Sequence, residues 1–158
     1  MGKTLILTLA VIMVVSACDN QSAVPVVETE EEAKSEVVSL VSKAPEGAKV
    51  FILSPQDGAV VPSTFDVTFG LAGMGVAPAG IDMENTGHHH ILIDVDELPD
   101  MSMPLPTTEN IVHFGGGQTQ TTLTLSPGTH TLQLLLGNHL HVPHDQPVLS
   151  EKITITVE

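Results

Sequence analysis

Arginine, tryptophan and tyrosine are absent from the 158-residue sequence, and cysteine occurs once, at Cys18. Each absence excludes something. Five lysines stand against 19 Asp and Glu, a formal charge of −14, so the clustered basic side chains that phosphate contacts require are missing and nucleic acid is excluded as a partner. A cation is the more natural ligand for such a chain. With four Phe as the only members of the Phe, Trp and Tyr set, the core must be aliphatic, which suits strands. No phosphate-binding loop, Ser-His-Asp arrangement or paired-glutamate pattern is present.

Long hydrophobic runs are also missing. The apolar run Leu5 to Val15 is too short for an ordinary spanning helix of about 20 residues. Lys3 before it and Ser16-Ala17-Cys18 after it give the layout of a secretory signal. Val15-Ser16-Ala17-Cys18 resembles the lipobox of bacterial lipoproteins, which implies cleavage of residues 1–17 and lipidation of Cys18. The expected location is therefore the cell envelope, periplasmic side, on a lipid-anchored membrane surface. Residues 18–47 carry Glu28, Glu30, Glu31, Glu32 and Glu36 between Pro25 and Pro45 and read as an acidic flexible tether.

From residue 48 to 158 the texture changes to short alternating runs separated by Pro, Gly and Asp turns, the signature of an all-β chain. Strands are expected at Val50 to Leu53, Thr64 to Gly70, His88 to Val95, Asn110 to Phe114, Gln118 to Leu125, Thr129 to Leu136 and Lys152 to Val157. About seven strands in this order suggest an immunoglobulin-like Greek-key β-sandwich.

What is present in excess is histidine. All eight lie between His88 and His144, with Met74, Met83, Met101 and Met103 in or near the same region. Gly87-His88-His89-His90-Ile91-Leu92-Ile93-Asp94 is the stretch with the strongest chemical signal. Side chains alternate along a strand, so His88 and His90 share one face, with Cα atoms roughly 6.5 Å apart, and His89 shares the other with Ile91 and Ile93. The expectation is that His88 and His90 project from the outer surface and His89 faces the core. In an immunoglobulin-like fold the loop carrying His139, His141 and His144 lies at the same end as the start of this strand, and His113 arrives there too. These six histidines are the candidate metal ligands. His130 begins its strand at the opposite end and reads as structural.

Pro55, Asp57-Gly58, Phe69-Gly70, Gly75, Pro78-Ala79-Gly80, Gly87 to His90, Asp94, Gly117-Gln118-Thr119, Pro127-Gly128, His130-Thr131-Leu132, His141, Pro147 and Ser150 together resemble a family of bacterial domains of unknown function, whose hallmark is Gly-His-His-His, a hydrophobic strand and Asp. The resemblance implies no activity. Imidazole suits copper and zinc, and thioethers favour Cu(I), so the residues point to a copper or zinc binding module with a role in binding or delivery. Catalysis would need three ligands and an open position, and a non-catalytic role is preferred. The competing expectation is a structural or interaction domain of the envelope, with a protein partner and hydrogen-bonded histidines. A further one is a pH response of the cluster, since imidazole titrates near 6.5.

Overall fold

The computed structural model describes residues 39–158. Residues 1–38, and with them the expected signal peptide, the lipidation of Cys18 and most of the expected tether, lie outside the described residues. The described chain is all-β, and its nine strands are β1 (Lys49–Ser54), β2 (Val60–Val61), β3 (Thr64–Ala72), β4 (Gly75–Val76), β5 (Thr86–Ile93), β6 (Ile111–His113), β7 (Gln120–Thr124), β8 (Gly128–Gly137) and β9 (Ile153–Val157). Two of these, β2 and β4, are two-residue strands that no alternating run announced.

Two open sheets face each other. One has the order β1-β3-β7; the other has the order β2-β9-β8-β5-β4, with β6 paired to β5. β2 leaves the sheet of β1 and joins β9 in parallel, while β1 with β3, β3 with β7, β5 with β8 and β8 with β9 are antiparallel. This crossing of the first strands and the alternation of later strands between sheets is the Greek-key arrangement of an immunoglobulin-like β-sandwich.

The alternation in the sequence explains the core. Phe65, Val67 and Phe69 of β3 point inward and are buried, against Ile91 and Ile93 of β5, Leu132, Leu134 and Leu136 of β8, and Ile155 and Val157 of β9. Register places His89 opposite Leu136, Ile91 opposite Leu134 and Ile93 opposite Leu132, so this face of β5 continues the core. His89 lies on it as expected: its ring packs on Phe69 with centroids 5.2 Å apart, and Nδ1–H donates to the Gln118 carbonyl at 3.2 Å.

The other face of β5 departs from expectation. His88 and His90 are not on an outer surface: they are 0% and 1% exposed. Leu92 on that face packs with Leu105, Ile111 and Leu135 in a second, smaller core, flanked by Val95, Met101 and Leu149. The connection through Leu105 and the segment through Leu149 cover the sheet here, tied down by Leu105 N–H donating to the His141 carbonyl at 3.0 Å and by the bridge between Leu135 and Leu149. A strand buried on both faces shows a continuous apolar run instead of alternation. Ile91-Leu92-Ile93 and Leu134-Leu135-Leu136 were that signal.

Candidate metal centre

Three elements converge at the start of β5. β5 supplies His88 and His90, and β6 supplies His113, the direct register partner of His90. The loop after β8 supplies His141. Antiparallel pairing sets Gly137, the last residue of β8, opposite His88, so the loop leaving β8 must pass over that histidine.

Asn138 shapes the loop. Only 2% exposed, it accepts hydrogen bonds at Oδ1 from the N–H groups of Leu140 and Val142, at 2.9 and 3.1 Å, and donates Nδ2–H to the Leu40 carbonyl at 2.8 Å. Its N–H and carbonyl bond Val142 and His141 as well. His141 is held at φ 68°, a left-handed conformation that histidine tolerates better than most side chains but that still costs on the order of 1 kcal/mol. Such strain persists where the surroundings impose it.

The resulting group is compact. The ring centroids of His88, His113 and His141 are 4.6 to 4.9 Å apart, with rings inclined at 62° to 78° to one another. One nitrogen from each lies within 4.8 Å of the others, and this group can hold a metal ion. An equilateral triangle of that side has its corners about 2.8 Å from its centre, so ring shifts of about 0.7 Å reach the 2.0–2.1 Å of a metal–imidazole bond. His90 stands beside the three: its ring is 4.9 Å from His88 and 6.1 Å from His141, and stacks on His113 at 5.1 Å and 29°.

Two glycines admit these rings. A Cβ on Gly115 would meet Cε1 and Nε2 of His113 at 2.3 and 2.6 Å, and one on Gly137 would meet Cε1 of His90 at 2.9 Å and the backbone of His141 at 3.3 Å. Neither role is visible in the sequence, where Gly115-Gly116-Gly117 reads as a flexible turn. Asn138 was missed too, although an Asn directly after an apolar strand is a common side-chain-to-backbone turn former.

The other candidate ligands are placed elsewhere. His139, two residues before His141, turns outward to put Nδ1 3.3 Å from Asp82 Oδ1. His144 is 2% exposed and lines, with His139, Asp82 and Thr86, a neighbouring cleft of about 260 Å³. Neither joins the three-histidine group. His130 lies at the far end of β8, where Asp94 ends β5 at φ 53°. Asp94 accepts the Thr131 N–H at Oδ1 and pairs with His130 Nδ1 at Oδ2, both at 2.7 Å, while His130 Nε2 faces the Ser126 carbonyl at 2.9 Å. Both ring nitrogens face acceptors, which favours the protonated ring and raises its pKa, through Asp94 first and Ser126 second.

The cluster has the opposite electrostatics. Burial, then the neighbouring His113 and His141, pushes His88 down to about 4; burial, then His88, His113 and His141, pushes His90 down to about 3. Burial lowers His113 as well, with a further push from His141. These imidazoles are neutral at pH 7, with lone pairs free. Nδ1 and Nε2 of both His88 and His90, and Nε2 of His113, are buried without a hydrogen-bond partner among the described residues.

A histidine-lined end on an immunoglobulin-like sandwich defines the class of domain. The family described as Domain of unknown function (DUF4399) matches residues 67–158, and the chain belongs to that family. The match includes every histidine of the cluster. No curated protein and no solved structure matches the chain.

Proposed function

We propose that this chain is a cell-envelope lipoprotein whose β-sandwich binds a transition metal, copper or zinc, through His88, His113 and His141, with His90 as an adjacent fourth imidazole. The role is binding or delivery. One observation carries the reading: five buried imidazole nitrogens of the adjoining His88, His90 and His113 have no hydrogen-bond partner among the described residues. Each buried polar atom left unpaired costs about 1–3 kcal/mol, and buried polar groups are otherwise almost always satisfied. A metal held by the three-histidine group would engage one nitrogen of His88 and one of His113, and so offset part of that cost. A hydrogen-bonded histidine network would need partners that the described residues do not supply to His88 or His90.

The half-exposed His113 and His141 rim a site whose floor, His88 and His90, is buried, an arrangement that suits reversible loading better than permanent enclosure. The lipoprotein part rests on Val15-Ser16-Ala17-Cys18. The test is metal content of the full chain purified without a polyhistidine tag, beside a His88→Ala, His113→Ala double variant. Stoichiometric copper or zinc that disappears in the variant is the expected result; a folded chain that takes up neither ion refutes it.

A further inference from the structure

Resting on the metal-site reading above, we infer that the ion this site selects is monovalent copper, Cu(I), over Zn(II) and Cu(II). Three features of the cluster lead there.

The first is charge. The imidazoles bring no negative charge to the ion. Among the described residues only His130 and His139 pair with carboxylates, and both lie outside the cluster. Metal-ligating histidines usually pass their second N–H to a carboxylate or carbonyl, which spreads the charge of the ion. Here both nitrogens of His88 and His90 lack any such partner. The ion's charge would therefore remain on the site, over a floor formed by fully buried residues and continued by the apolar Leu92, Leu105, Ile111 and Leu135. Born desolvation grows with the square of the charge, so a divalent ion costs roughly four times as much as a monovalent one at the same place.

The second is geometry. Cu(II) prefers a tetragonal set of donors and structural zinc a closed tetrahedron. Only three histidines point their nitrogens together. The fourth, His90, stacks on His113 at 29°, alongside a ligand instead of opposite one. With no fourth donor among the described residues, a zinc ion here would need water to complete its tetrahedron, whereas Cu(I) is content with three imidazoles.

The third is the presence of exposed soft donors in the neighbouring segments. Met83 and Met103 are 59% and 51% exposed. The Met83 carbonyl accepts the Thr86 hydroxyl where β5 begins, and Met103 lies two residues before Leu105, whose N–H holds the His141 carbonyl. Thioethers select Cu(I) over harder ions, and Met83 lines the cleft of His139 and His144 beside the cluster, so a soft donor is exposed in its neighbourhood though not among its ligands.

The experiment uses the full chain, without a polyhistidine tag and stripped of metal. It is titrated under argon and ascorbate with Cu(I) buffered by bicinchoninate, and in separate runs with Zn(II) and with Cu(II) against chelators of known affinity. We expect one Cu(I) per chain and a lower Kd for Cu(I) than for either divalent ion. Because Cu(I) is diamagnetic, imidazole proton resonances of His88, His113 and His141 should shift while those of His130 and His139 stay. His113→Ala and His141→Ala, at half-exposed positions, should each weaken Cu(I) retention by roughly tenfold or more, and His139→Ala should not. Tighter binding of Zn(II) or Cu(II) would overturn the choice of ion and leave the metal site standing. No retention of any of the three by a folded chain would overturn both.

Discussion

His90 and His113 are direct partners across β5 and β6, and their imidazoles lie stacked with centroids 5.1 Å apart. Two neutral rings so placed gain contact area, yet the pair leaves both nitrogens of His90 and Nε2 of His113 without partners. These unpaired atoms weigh against the stability of the fold.

His90→Leu should raise the urea midpoint of the metal-free protein. Exchanging buried, unpaired polar atoms for apolar ones removes a desolvation cost of about 1–3 kcal/mol, offset in part by imperfect packing. An unchanged or lower midpoint would mean that His90 has partners beyond those described.

Acid should destabilise the metal-free protein. An unfolded histidine titrates near 6.5, while His88 and His90 titrate at about 4 and about 3 when folded. Between those values the unfolded chain binds more protons, so their contribution is fully present above pH 6.5 and is lost as pH falls toward 3. His130 acts in the opposite sense. Its raised pKa gives stability that is full below 6.5 and fades as pH rises through the folded value. Urea midpoints at pH 7.5, 6 and 5 should fall in that order, because the depressed groups outnumber the raised one.

Gly115→Ala should weaken metal binding without unfolding the chain. The new methyl cannot share space with the His113 ring, which must swing away from the group. Affinity should fall by roughly 10–100-fold, the usual scale for residues that position a ligand, with far-ultraviolet circular dichroism unchanged.

Asp94→Ala separates stability from binding. It removes the acceptor of the Thr131 N–H and of His130 and puts a poorer residue at φ 53°, at the end of β5 away from the cluster. A loss of about 2–3 kcal/mol is expected, with metal stoichiometry intact.

The strands were legible where one face is buried and the other wet. Phe65, Val67 and Phe69 against Asp66 and Thr68 fixed both element and facing, and sandwich topology then implied that β5 and the loop after β8 share an end. What covers His88 and His90 was not legible, because the segments through Leu105 and Leu149 are irregular and have no period to read. Leu92, an apolar residue on a face taken as outer, was the available warning. The split between His139 and His141 was hidden for another reason: it depends on the left-handed turn at His141, which Asn138 enforces from three residues away.

The described chain enters along the loop that carries His141. Leu40 accepts from Asn138, Ser42 accepts from the Asp145 N–H, and Ala44 donates to the Asp145 carboxylate. This incoming segment is thus a latch on the histidine loop. Without this segment Asn138 would keep its bonds to Leu140, His141 and Val142 but lose the acceptor of its Nδ2–H, and Asp145 would lose its bonds to Ser42 and Ala44. The firmness of the histidine loop is thus set in part by a stretch of chain outside the two sheets.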